Sequence, residues 1–248
     1  MKKSQMKEQG TAVSVVTEAL TKDILALHAP GTSLASEAEL AERFAVSRVT
    51  VREALKILSG KGLVDLGRGR RPITREPDGS AFGEFLAAVI QYDPKGVFDL
   101  VEVRMTLEIQ SVSLAARRVS RPGLAAIEAA LQGMRDALPA FQESGDIEAE
   151  RRFHHFDVGF HEALAMASGN RVLTFLFEAM LQPLEKSFYL SRRGRELRGQ
   201  GLDVTIAAHQ RILDCVREGN QRGAAEAMRA HLEDATRDMR AALGAAVA

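Results

Sequence analysis

Between Pro30 and Thr74 the chain reads PGTSLASEAELAERFAVSRVTVREALKILSGKGLVDLGRGRRPIT, and the punctuation of this stretch leaves it few ways to fold. Just before it, Val15, Val16, Ala19, Leu20 and Ile24 recur at helical spacing, which predicts a first helix over 13–28 that Ala29-Pro30-Gly31 ends. Ser36-x-x-Glu39 is a capping box that opens a second helix, and Phe44-Ala45-Val46 makes a turn. Ser47 caps a third helix that runs to about Ser59 and stops near Gly60 and Gly62. Leu63 to Leu66 and Pro72 to Thr74 are short strand candidates around Gly67-Arg68-Gly69-Arg70-Arg71, so the stretch closes with a hairpin whose tip is loaded with arginine.

On the third helix Arg48, Arg52 and Lys56 are spaced i, i+4, i+8 and share a face, while Val51, Leu55 and Leu58 form an adjacent apolar face for packing on the first two helices. A helix basic on one side and apolar on the other suits the major groove of DNA, where arginine reads guanine edges bidentately. Ser47 and Thr50, at the helix N-terminus, are placed to hydrogen-bond phosphates. Arg68, Arg70 and Arg71 sit on the hairpin tip, where Gly69 lets the backbone approach DNA closely. The alternative is a solvated basic face held by ion pairs.

The 248 residues carry no net charge, but the balance is uneven. Residues 1–76 hold 13 Lys/Arg against 9 Asp/Glu, and residues 77–248 hold 20 against 24. Opposite-signed halves point to a nucleic-acid-facing module joined to one with another task. The expected division is a DNA-binding domain over 1–76, a linker over 77–81 around Pro77-Asp78-Gly79, and a helical domain over 82–248. No apolar run is long enough for a membrane span, and no apolar segment follows the basic start as a secretory signal would require. Cys215 is the sole cysteine, which rules out an intrachain disulfide and fits a cytoplasmic protein.

Strand signals vanish past the linker. Seven amphipathic helices are expected, over 82–91, 99–119, 123–143, 147–168, 171–193, 202–219 and 221–243. The fold class is therefore mainly α: a winged helix-turn-helix followed by an all-α antiparallel bundle. Five of the six histidines lie in this half. Asp157 and His161 are spaced i, i+4 on one helix face. His209 precedes the Gly219 turn by 10 residues and His231 follows Asn220 by 11. In an antiparallel hairpin both imidazoles then lie at one height, roughly 15 Å from the turn at ~1.5 Å per residue. Three imidazoles and a carboxylate suit zinc, nickel or manganese. Spacing alone fits a surface ion pair for Asp157 and His161 as the commoner arrangement. His154 and His155 are expected off the Asp157–His161 face.

Gly31, Leu34, Ser36-Glu37, Glu39-Leu40-Ala41, Val46-Ser47-Arg48, Val51-Arg52-Glu53-Ala54-Leu55, Leu58, Gly62-Leu63 and Gly69 make this first module similar to the winged helix-turn-helix of GntR-family bacterial transcription regulators. The resemblance implies operator contacts from Arg48, Arg52 and the wing tip at Arg68-Gly69. Ala38 stands where the family can place a DNA-contacting side chain, and Ala35 where proline is common. The text DVGFHEALAMASGN and AAHQRILDCVREGN resembles the FCD ligand-binding domain of the FadR-like subfamily. That resemblance implies a metal quartet of Asp157, His161, His209 and His231, with the metal holding a small carboxylate effector that meets Arg104 in VRMTLE, and with Asn170 near the site. Arg104 also suits an i, i+4 ion pair with Glu108. Asn170 equally suits a helix C-cap. Arg192, Arg193 and Arg195 are expected at a solvated helix end, with anion contacts the alternative.

The expected function is a metabolite-responsive, homodimeric, DNA-binding regulator, a repressor whose operator affinity changes when the carboxylate binds the metal. Its rivals are a metal-dependent enzyme acting on a small organic acid, an acyl-CoA-responsive regulator, and a protein whose metal only stiffens the bundle. Glu162 directly follows His161 and points to another face, so the enzyme lacks a partner base.

Overall fold

The computed structural model describes residues 11–67, 69–76, 79–92, 96–144 and 146–247. The chain divides into two compact units, Met1–Ala81 and Phe82–Ala248. In the first, α1 spans Ala12–Leu27, α2 Glu37–Phe44 and α3 Arg48–Gly60. Val16, Leu20 and Ile24 occupy one stripe of α1 and are buried against Leu40, Val51, Leu55, Leu58 and Leu63. The capping box opens α2 as expected: the Ser36 side chain accepts from the Glu39 N–H, and the Glu39 carboxylate accepts from the Ser36 N–H at 2.7 Å. Ala45 ends α2 in the left-handed region, at φ 51°, and so turns the chain into α3. Ser47 then caps α3 by accepting from the Thr50 N–H.

The hairpin is β1 (Val64–Asp65) paired antiparallel with β2 (Ile73–Thr74), in the register Val64↔Thr74 and Asp65↔Ile73. It is tied to the chain that follows α1. The Thr74 hydroxyl donates to the Ala29 carbonyl at 2.7 Å, and the Thr74 carbonyl accepts from the Gly31 N–H at 2.8 Å. Gly69 takes φ 69° at the tip, a conformation open to glycine without steric cost.

The second unit contains α4 (Ser80–Tyr92), α5 (Gly96–Arg118), α6 (Arg121–Ser144), α7 (Ile147–Ala167), α8 (Arg171–Leu197), α9 (Asp203–Arg217) and α10 (Gln221–Val247). The boundary between the two units falls after Ala81, while α4 already begins at Ser80, inside the expected linker; Pro77-Asp78 lie outside the described residues. α8 likewise runs four residues past the expected end at 193, since Gly194 does not break it. Among the described residues no helix is long and apolar enough to cross a membrane.

One core joins α5, α6, α7, α9 and α10 through residues such as Val112, Ile127, Met134, Phe160, Ile212 and Met228. Leu100, Phe177, Met180, Leu184 and Met239 form a second cluster among α5, α8 and α10. α9 and α10 are joined at Gly219, whose φ of 70° lets the Asn220 N–H reach the Cys215 carbonyl at 2.8 Å. α8 meets α10 at Gly194, where a Cβ would lie 1.6 Å from the Asp238 carbonyl oxygen. Backbone cannot yield at such a distance. Gly194→Ala is therefore expected to force α8 off α10 and to cost about 3 kcal/mol in urea unfolding followed by circular dichroism.

Candidate functional site

Two candidate sites emerge, one in each unit. In the first, Arg48, Arg52 and Lys56 are exposed on α3 opposite the buried Val51, Leu55 and Leu58. The Arg52 guanidinium grips Glu37 of α2 through Nε at 3.0 Å and Nη2 at 2.7 Å, which holds the Glu37 carboxyl below its usual range. Lys56 pairs with Glu53 at 2.9 Å. Arg48 has no ion-pair partner among the described residues, so its guanidinium is available to an incoming phosphate or base. The Ser47 and Thr50 hydroxyls share a hydrogen bond of 2.8 Å at the α3 N-terminus. On the wing Gly69 and Arg70 are exposed, and Arg71 reaches Glu39 at 3.0 Å. Arg68 lies outside the described residues. Val49, 66 % exposed beside Arg48, is an apolar group the charge pattern did not mark. It suits the methyl group of a thymine.

In the second unit, α7 carries Asp157 and His161, α9 carries His209 and α10 carries His231. One ring nitrogen from each histidine lies within 4.8 Å of the others, and all three residues are buried. His161 Nε2 faces His209 Nε2 at 3.2 Å, and Asp157 Oδ1 lies 3.5 Å from His209 Nε2. The His209 and His231 rings are 4.6 Å apart, the common height expected from their equal offsets from the turn.

Behind His161 stands a residue with a role the sequence did not reveal. Glu108 of α5 takes up the His161 Nδ1 with one carboxylate oxygen and the Arg104 Nε with the other, and all three side chains are buried. Burial pushes the Glu108 carboxyl up, but the Arg104 and His161 charges more than offset this and hold it down to about 2. The ionised carboxylate accepts from Nδ1–H and so leaves Nε2 facing the cluster. Burial, reinforced by the neighbouring positive charges, drives His209 and His231 well below the usual imidazole range, so both are neutral. Burial raises the Asp157 carboxyl. Asp157 Oδ1 and His209 Nδ1 have no hydrogen-bond partner. Three converging imidazoles, two of them held neutral by burial, beside an orphaned buried carboxylate oxygen fit a divalent cation of the zinc, nickel or manganese type.

This cluster forms one wall of a cavity of about 310 Å³. Asp157 and His231 line it together with Arg104, Arg192 and Arg195. The Arg104 guanidinium lies 4.6 Å from the Phe188 ring centre and is tied to Glu108, so the expected ion pair and the expected place in the site coexist. Three expectations need correction. His154 lines the cavity, because residues 154, 157 and 161 follow i, i+3, i+7 on one helix face. Arg195 is 3 % exposed rather than solvated, because Gly194 brings α8 onto α10 beside it. Asn170 is not among the residues lining the cavity; its side-chain oxygen caps the start of α8 by accepting from the Val172 and Leu173 N–H groups. Arg193 does not line it either.

A family model described as "Bacterial regulatory proteins, gntR family" matches residues 12–71, and one described as "FCD domain" matches residues 99–234. The HTH-type transcriptional regulator LutR of Bacillus subtilis is 36 % identical over 82 % of this chain and 89 % of its own length. The galactonate operon transcriptional repressor of Escherichia coli is 29 % identical over 86 % of this chain and 90 % of its own. The Glc operon transcriptional activator of Escherichia coli is 28 % identical over 84 % and 81 %. A solved structure described as Streptococcus agalactiae GntR superposes with a TM-score of 0.69 at 25 % identity, covering 89 % of this chain and 97 % of that one.

The buried groups set a pH dependence for the metal-free protein. His209 and His231 are depressed in the folded state, so the unfolded chain binds more protons below its imidazole value of 6.5 and stability falls as pH drops through that value. Glu108, held at about 2, removes further stability as pH falls below its unfolded value of 4.5. Asp157 acts in the opposite sense, since its raised value makes ionisation costly above 3.8. Melting temperatures of chelator-treated protein are expected to fall steadily from pH 7 to pH 5, and His231→Gln to flatten that slope.

Proposed function

Because the chain belongs to the GntR family of bacterial regulatory proteins, with an FCD domain behind its winged helix, we propose that this transcription regulator binds operator DNA through α3 and the wing and answers to a small carboxylate held at a divalent metal. The chain is a regulator and not an enzyme. The observation that carries the proposal is the cluster itself: three buried histidines, of which burial holds His209 and His231 neutral, and an orphaned carboxylate oxygen, with Asp157 and His231 lining a cavity walled by arginine.

Asp157, His161, His209 and His231 would hold the ion, zinc in the first instance, and the ion would supply a Lewis-acidic centre for a carboxylate oxygen. Arg104 adds a guanidinium at the cavity wall, suited to bidentate contact with an acid. The cavity sits near the lower end of ligand-pocket volumes, about 300–1,000 Å³, which favours a small acid over an acyl-CoA. Relatives named for the galactonate operon and, as a putative regulator, for the L-lactate dehydrogenase operon support an organic acid as the effector class.

Arg48, Arg52, Ser47, Thr50 and Lys56 on α3, with Gly69 and Arg70 on the wing, would meet the duplex, and Arg68 is proposed beside them from the sequence alone. A cytoplasmic homodimer would present two such helices to a palindromic operator. Repression is the proposed sign, as in the galactonate relative; because the Glc relative is named an activator, a reporter assay should score both directions.

Acid binding must favour one conformation of the protein over another to change operator affinity. Fluorescence anisotropy of a labelled operator at fixed salt tests this on zinc-loaded protein. The operator Kd should shift by roughly 5- to 150-fold at saturating acid, the usual span of allosteric coupling. An unchanged Kd rejects the proposal. Glu108→Gln should weaken zinc binding about 10- to 100-fold in competition with a fluorescent chelator, because it loosens the tautomer and orientation of His161.

A further inference from the structure

α8 and α10 enclose a second charged centre beside the cavity. The Arg195 Nη2 lies 3.1 Å from Asp234 Oδ2 and 2.6 Å from Asp238 Oδ2. Arg198 Nη1 reaches the same two aspartates at 3.1 and 2.5 Å, and Arg237 reaches Asp234 at 3.1 Å. Three arginines thus face two carboxylates, leaving one positive charge in excess. Arg198 and Arg237 are partly or largely exposed, so water screens them. The Arg195 side chain is 4 % exposed, lines the cavity, and keeps its Nη1 buried with no hydrogen-bond partner. A buried guanidinium nitrogen without an acceptor is costly unless a ligand supplies one. The neighbouring cavity arginine, Arg192, also buries an Nε without a hydrogen bond, but that atom lies 2.8 Å from a Glu150 oxygen and its Nη1 lies 2.5 Å from Glu196, so both nitrogens face carboxylates.

The geometry points to Arg195 as the receptor for a second acidic group on the effector, so that the regulator selects a dicarboxylate over a monocarboxylate. This rests on the proposed function, in which the first carboxylate lies at the metal cluster. His231, Asp234 and Asp238 follow i, i+3, i+7 on one face of α10, so Arg195 is anchored roughly 5–10 Å along that helix from the cluster. Ala235 and Met239 line the intervening cavity wall and offer no charge to hold the middle of a ligand. With carbon–carbon bonds of about 1.5 Å, a chain of roughly four to six carbons spans that interval between its two acid groups.

Isothermal titration of the zinc-loaded full chain with succinate, glutarate and adipate, each against butyrate, pentanoate or hexanoate of equal length, tests the inference without any variant. At least one diacid should bind roughly tenfold or more tighter than its monoacid partner, the effect of one charge-assisted contact at a buried group. Arg195→Lys keeps a cation between Asp234 and Asp238 but removes the free nitrogen. It should erase the diacid preference by lowering diacid affinity to that of the matched monoacid, with its melting temperature reported alongside. Equal binding of diacids and monoacids by the unaltered protein overturns the role of Arg195 and leaves the proposed function standing. A diacid preference that survives in folded Arg195→Lys assigns the second group to another residue and overturns the inference as well. Failure of every acid to bind zinc-loaded protein overturns the proposed function, and the inference with it.

Discussion

Glu108 is the residue on which the second unit depends. It is a buried carboxylate that must be ionised to satisfy both Arg104 and His161, and its depressed pKa reflects those two partners outweighing the cost of burial. By taking the hydrogen on His161 Nδ1 it decides which nitrogen faces the cluster. By holding Arg104 it fixes a guanidinium in the cavity wall. One side chain of α5 therefore orients His161 within the histidine cluster and fixes a positive group in the cavity wall. Replacing it by an apolar residue would leave a buried guanidinium without its counter-ion, among the more destabilising single changes open to a helical core.

Around this pair the bundle creates an environment that favours a cation. Phe160 packs its ring 4.3 Å from that of His209, and Phe177 lies over His161. Such surroundings keep His209 and His231 neutral, and neutral imidazoles are the form that binds metals. The same burial leaves Asp157 Oδ1 without a hydrogen bond. A buried polar atom without a hydrogen bond is uncommon in a packed core and calls for an explanation.

The first unit solves a different problem, keeping a basic helix face available while it stays soluble. Glu37 and Glu53 neutralise Arg52 and Lys56 without covering them, and Arg48 is left unpaired among the described residues. Exposed pairs of this kind are weak, so phosphates can displace the carboxylates at little cost. The Arg52 fork is held through two nitrogens by Glu37 of the neighbouring helix α2.

Most of the architecture was legible in the residues because its signals are local. Ser36 and Glu39 cap α2, Ser47 caps α3, and the apolar stripes of all ten helices recur within a few turns. His209 and His231 could be paired from their offsets to Gly219, since a tight helical turn makes sequence distance a measure of height. His154 was available to the same arithmetic but was placed on the wrong face. What sequence spacing could not disclose depended on contacts between distant segments. Glu108 meets a histidine 53 residues away. Arg195 is buried because Gly194 admits the Asp238 backbone of another helix. Asn170 was drawn to the start of α8, where unsatisfied N–H groups compete for its oxygen. The sequence by itself determined the helices and the wing, because periodicity and capping act over a few residues. The tertiary structure alone decided which charges were buried, which were balanced and which were left facing a cavity, because desolvation is a property of what packs around a group and not of its neighbours in the chain.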